Sequence, residues 1–167
     1  MSRGTLAVML GCVCALPLLA GCNDDDTVTD PGGPNIPPDL LISGNYMYNV
    51  PDLVGGSTAG DEIRCNTSAG TLRISQILFN FDGTFEDLRL SCNINGGSLQ
   101  LFGPFDGLIF DGTIDETANV EFRFDIFNWS HVGTSNPAGM SGTAAVAVQI
   151  AGEVVALTGA FSANRIN

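Results

Sequence analysis

The sequence contains no lysine, and its six basic residues are all arginine, against 18 acidic ones. It has one histidine, His131, and one tryptophan, Trp129. So few cations exclude nucleic acid as a partner, because basic side chains supply that affinity. They equally exclude a polybasic patch against lipid headgroups. One histidine excludes a multi-histidine metal centre. A Ser–His–acid triad would have to use His131, and no Gly-x-Ser-x-Gly turn accompanies it. Carboxylates are plentiful but belong on wet strand faces, and no pair stands out for glycoside hydrolysis. The chain is therefore read as non-enzymatic, without metal or cofactor, with a hydrolase as the remote alternative. Helix formers such as Lys, Gln and Glu are scarce, while there are 21 glycines and many Thr, Ser and Asn. That is the composition of a β-protein.

What is present begins with a long apolar run. Arg3 precedes a nearly unbroken hydrophobic stretch from Thr5 to Ala20. Its length suits a signal-peptide core and is short for a membrane span. It ends in Leu19-Ala20-Gly21-Cys22, followed at once by polar residues. This resembles the lipobox of bacterial lipoproteins. The resemblance implies a diacylglyceryl thioether on Cys22, cleavage between Gly21 and Cys22, and usually acylation of the new amine. One acyl chain holds only marginally and two or three hold durably. Residues 1–21 are then a signal peptide, and the partner of Cys22 is a membrane. Cys12 and Cys14 would leave with the signal peptide. The remaining chain carries five arginines and 18 acidic residues, net −13. Asn23 is not the Asp of a common inner-membrane retention signal, so the outer membrane of a bacterial envelope is favoured. The alternative is an ordinary signal peptide, cleaved or retained, with a chance cysteine.

Residues 22–40 read as a tether. Pro, Gly and Asp dominate Asn23–Asp39, a composition that cannot bury a core. A flexible chain of that length spans roughly 20–25 Å. The Asp24-Asp25-Asp26 run lacks the Gly-centred loop and distal Glu of a calcium cage.

Residues 41–167 show a period of two. In Val120–Ile126 the apolar side chains of Val120, Phe122, Phe124 and Ile126 alternate with Glu121, Arg123 and Asp125. One face is buried and one wet, as in an antiparallel sheet. Asp82-Gly83, Asn95-Gly96-Gly97, Asp106-Gly107, Asp111-Gly112 and Ala151-Gly152 read as turns. The pattern predicts about eight or nine strands, over 43–50, 61–66, 70–81, 84–93, 98–102, 107–114, 119–128, 140–150 and 153–166. Tight turns between consecutive strands favour a meander, closed as a small up-and-down barrel or packed as an open sandwich. The run Ile77-Leu78-Phe79-Asn80-Phe81 is expected in the core or lining a cavity.

The chain ends favour the barrel. Gly44-Asn45-Tyr46 resembles the Gly-x-Trp of lipocalins, with Tyr for Trp. Arg165 resembles the arginine that packs on that ring in the same family. The resemblance implies a Tyr46–Arg165 cation–π contact closing the barrel. It also implies an interior that binds a small apolar ligand. Ten phenylalanines in so small a domain argue instead for a filled core and a structural or interaction role, with an envelope protein as partner and a monomeric chain. The segments Cys65–Cys92, Trp129–Thr134, Met140–Thr143 and Leu157–Arg165 are also similar to small lipobox-bearing β-proteins of environmental bacteria. That similarity carries over no catalytic residues.

In an oxidising compartment Cys65 and Cys92 are expected to pair. A turn at Asp82-Gly83 would set Cys92 opposite Arg73, with Cys65 just upstream across a turn at Ser68-Ala69-Gly70. The alternative is two free buried thiols. Trp129 shares the parity of Phe127, opposite the buried set, so it and His131 are expected at a barrel end. There they either pack over a loop or form a ligand mouth. Asn66-Thr67-Ser68 and Asn128-Trp129-Ser130 match the N-glycosylation pattern, which is discounted in a bacterial lipoprotein.

Overall fold

The structure is a computed structural model describing residues 36–150 and 152–166. Its strands are β1 (Gly44–Asn49), β2 (Leu53–Gly56), β3 (Glu62–Ser68), β4 (Gly70–Ile77), β5 (Asn80–Ile94), β6 (Ser98–Ile114), β7 (Asn119–Phe124), β8 (Ser130–Asn136), β9 (Gly139–Ile150) and β10 (Glu153–Ile166). All pairings are antiparallel.

The ten segments make eight long strands. β1 and β2 are halves of one strand bent at Val50–Asp52, since both lie between β10 and the β3–β4 run. β3 and β4 both pair with β5 in one register, with Ser68 opposite Arg89 and Thr71 opposite Glu86. They are one strand interrupted at Ala69. From there each strand pairs with the next, and β10 returns to pair with β1. The sheet therefore closes as a meander barrel, as the chain ends suggested. Closure removes most free sheet edges.

Period-two burial follows from this closure. β3 reads exposed–buried without a break from Glu62 to Ser68, and β7 does the same from Asn119 to Phe124. The inward set is one apolar core, in which Phe81, Phe85, Phe122, Phe124 and Phe161 are all buried.

Several turns differ from those read in the sequence. The β4–β5 hairpin turns at Leu78-Phe79, with Ile77 opposite Asn80, rather than at Asp82-Gly83. Ile77 is consequently 73% exposed, and only Phe81 of the Ile77–Phe81 run is fully in the core. Asp106-Gly107 and Asp111-Gly112 lie inside β6, so the stretches 98–102 and 107–114 are one strand. Their glycines make room instead: a Cβ on Gly107 would stand 2.6 Å from the Phe85 ring, and one on Gly112 2.5 Å from Phe81. Large rings and absent side chains thus alternate across β5 and β6.

The barrel's packing reaches into residues that the composition assigned to the tether. Pro38–Leu40 form a 3-10 turn, Leu40 and Ile42 are buried, and Ile36 packs against the core. Gln76 clamps this strap. Its Oε1 accepts from the Ile42 N–H at 2.7 Å, and its Nε2 donates to the Leu40 carbonyl at 3.0 Å. The last residues of the expected tether thus belong to the barrel. Cys22, Gly21 and the rest of residues 1–35 lie outside the described residues.

Candidate functional site

The barrel ends are tied where the sequence suggested. Tyr46 stands opposite Arg165 in the β1–β10 ladder, and the guanidinium carbon lies 5.6 Å from the ring centroid. Arg165 Nη2 also donates to Tyr46 Oη at 3.0 Å and to the Leu41 carbonyl at 2.8 Å. Tyr46 Oη donates onward to the Ile42 carbonyl at 2.6 Å. The pair therefore anchors the strap as well as closing the sheet.

Cys65 and Cys92 form a disulfide. They are direct cross-strand partners in the β3–β5 ladder, both facing inward. Arg73 lies opposite Thr84, not Cys92, because the hairpin turn falls earlier than expected. The bridge spans two neighbouring strands at mid-ladder rather than fastening a hairpin foot.

Trp129 and His131 do not form a mouth. Trp129 is 0% and His131 1% exposed. The strand expected over 119–128 ends at Phe124, and the chain reverses through Phe127 and Asn128, both at positive φ. The Trp129 N–H closes that turn on the Ile126 carbonyl. Reversal resets the parity, so the odd positions of the following strand face inward while β7 buries its even ones. Carrying one alternation across the turn inverted the assignment of Trp129.

These side chains form an aromatic plug. The His131 ring stacks on Phe122 with centroids 4.1 Å apart, and Phe161 meets it edge-on at 5.2 Å. Tyr48 Oη and His131 Nε2 share a buried hydrogen bond of 2.8 Å. Burial pushes the His131 imidazolium down to about 3, opposed weakly by the Phe122 backbone, and pushes the Tyr48 phenol well above its ordinary value. Both groups are neutral. Trp129 Nε1 is near enough to the Tyr48 oxygen to favour its phenolate slightly, but meets no hydrogen-bond geometry there. Tyr48 carried no signal in the sequence beyond its place in an alternating strand.

The larger hollow lies on the outside of the barrel, with a volume of about 600 Å³. Asn66 and Ser68 of β3, Arg89 and Ser91 of β5, and Leu101 and Phe102 of β6 line it. Three backbone irregularities shape it: the bend at Val50–Asp52, the break at Ala69, and a bulge in β6. Leu90 pairs with Phe102 and Leu88 with Phe105, so Gly103 and Pro104 together stand opposite Arg89. Gly103 has φ +101°, and a Cβ there would stand 2.7 Å from the Leu88 carbonyl oxygen. Bulges commonly re-aim side chains beside functional sites. A proline cannot donate to a sheet ladder, so Pro104 is the one residue here that disfavours regular pairing, and nothing in the sequence marked its partner Arg89. A second hollow, of about 340 Å³, is lined by Phe110, Arg123 and Asp125.

Fold and site together define a closed antiparallel meander barrel with an aromatic interior and a polar-apolar hollow on its outer wall. Comparison of the chain with protein-family models, with curated proteins and with solved structures found no match.

Proposed function

We propose that this protein is a lipid-anchored module of a bacterial envelope that works by binding through its outer surface. The anchor reading rests on Leu19-Ala20-Gly21-Cys22 and the polar stretch that follows it. Outer-membrane placement rests on Asn23. No helix among the described residues is long and apolar enough to cross a membrane, and an acylated Cys22 would not need one.

The observation that carries the binding reading is the plug. Tyr48, Phe122, Phe124, Trp129, His131 and Phe161 meet at ring-centroid distances of 4.1–6.2 Å across the barrel. An eight-stranded barrel is wide enough either to be filled by side chains or to hold one small ligand. Here rings occupy that space, which supports an interaction role over lipocalin-like carriage of an apolar molecule. The large hollow on the outer wall supports the same role.

Intact-mass analysis of the membrane fraction tests the anchor: Cys22 should carry diacylglycerol, and Cys22→Ser should leave an uncleaved, unlipidated precursor. An unmodified mature N-terminus in the wild type would refute it. Titration with a fluorescent fatty acid tests the interior. Saturable binding abolished by Ala144→Trp, a substitution of a buried wall residue, would refute the filled-core reading.

A further inference from the structure

We infer that the outer hollow around Arg89 is a binding site for a small monoanionic organic molecule, a carboxylate head on an apolar body. The inference rests on the outer-surface reading above and names the ligand class of that surface.

Charge comes first. Among the described residues, Arg64 pairs with Asp52 and Glu62, and Arg73 with Glu86. Among the described residues Arg89, like Arg123 and Arg165, has no acidic partner within ion-pair distance, although the chain carries three acids for every arginine. The smaller hollow is lined by both an arginine and a carboxylate, Arg123 and Asp125. The larger one holds a cation and no acid among its lining residues.

The neighbours of Arg89 supply the rest of a recognition surface. Ser68 is its cross-strand partner, and Asn66, Ser91 and Leu101 sit in successive register on β3, β5 and β6. Hydroxyl and amide groups therefore flank the guanidinium. Leu101, 74% exposed, supplies an apolar wall, while its neighbour Phe102, opposite the buried Leu90, packs against the core behind it. A guanidinium presents a fork that matches a carboxylate in a bidentate fashion. Gly103 is pressed onto the Leu88 carbonyl, so its missing side chain fixes the bulge that sets β6 opposite Arg89. The volume is within the range of small-molecule sites, roughly 300–1,000 Å³. Strong net negative charge repels polyanions at long range, which selects a single negative charge over a phosphate-rich ligand or nucleic acid.

The test is an amide NMR titration of the full mature chain in detergent micelles, with 2-naphthoate as probe and its neutral isostere 2-naphthamide as control. Naphthoate should shift Asn66, Ser68, Arg89, Ser91 and Leu101. Arg89→Gln should weaken it by about tenfold or more, the usual effect of losing a charged hydrogen-bond partner. Arg123→Gln, which removes the same charge elsewhere, should leave affinity unchanged, and naphthamide should not distinguish Arg89→Gln from wild type. Equal affinity in Arg89→Gln, or shifts centred on Phe110 and Arg123, would overturn the inference. No shifts at all would overturn it too, and would leave the filled-core reading standing. Shifts centred on Phe122, Trp129 and Phe161 would overturn both.

Discussion

Acid should destabilise this barrel chiefly through one side chain. His131 is buried in the aromatic plug, and desolvation holds its imidazolium at about 3 against an ordinary value of 6.5. The folded value lies below the unfolded one, so unfolding takes up a proton at any pH between them. Stability from this group is complete above pH 6.5 and is lost as the pH falls toward 3. One pH unit in that window corresponds to about 1.4 kcal/mol, so lowering the pH from 7 to 4 should cost about 3 kcal/mol. For a domain of this size that is on the order of 10 °C in Tm. Asp115 acts in the same direction, since hydrogen bonds from Asn119 and Thr117 hold its carboxyl down at about 2. Loss of net negative charge on acidification acts the other way. A comparator separates these. The double variant Tyr48→Phe/His131→Phe keeps a ring against Phe122 and removes both members of the buried hydrogen bond. Urea denaturation of both proteins at pH 7, 5.5 and 4 should show the wild type losing about 3 kcal/mol more than the variant. Parallel stability curves would refute the reasoning. So would an NMR titration of the His131 ring in folded protein with a midpoint near 6.5.

Three further outcomes are expected. Phe124→Asp should prevent folding, because Phe124 stacks on Phe85 at 4.5 Å in the core, whereas the exposed Arg123→Asp should change Tm by only a few degrees; comparable thermal melts would contradict the face assignment. Cys65→Ala/Cys92→Ala should lower stability by about 3.5 kcal/mol, the chain-entropy value for a loop of this length, measured by denaturant titration. Arg165→Leu should free the strap, seen as faster hydrogen exchange at Ile42 and a loss of about 1–3 kcal/mol, since three carbonyl or hydroxyl oxygens lose their donor.

Alternation made the β-class and the closed meander legible, because a period of two survives wherever a strand has one wet face. Val120–Phe124 needed nothing else. The disulfide was legible from count, since Cys65 and Cys92 were the two cysteines left once Cys12, Cys14 and Cys22 were assigned elsewhere, together with the expectation of an oxidising compartment. What alternation cannot carry is phase across a reversal. Asn128 at φ +47° turned the chain where no Gly or Pro marked it, and the inward side of Trp129 and His131 followed from that. Asp-Gly pairs misled in the opposite sense. In β6 glycine serves the rings of Phe81 and Phe85 across the sheet, a need visible only once the strands are paired. The outer hollow was illegible for a related reason. Arg89 faces Gly103 and Pro104 only through a register shift, and register is not written in either strand alone.

The β1–β10 ladder has a consequence for the order in which this fold can be acquired. Tyr46 and Arg165 are 119 positions apart, yet they are direct partners. A chain appearing from its N-terminus can form the β3–β4–β5 hairpin early, since those partners are local. It cannot close the ring until β10 has emerged. Until then the incomplete sheet has a free edge on β1, and its apolar face has no opposite wall. Long-range closure of this kind is slow to form and exposes intermediates to association. The last strand is thus the step that converts an adhesive, open sheet into a finished particle. Truncations within β10 should accumulate as aggregates rather than as a shortened barrel.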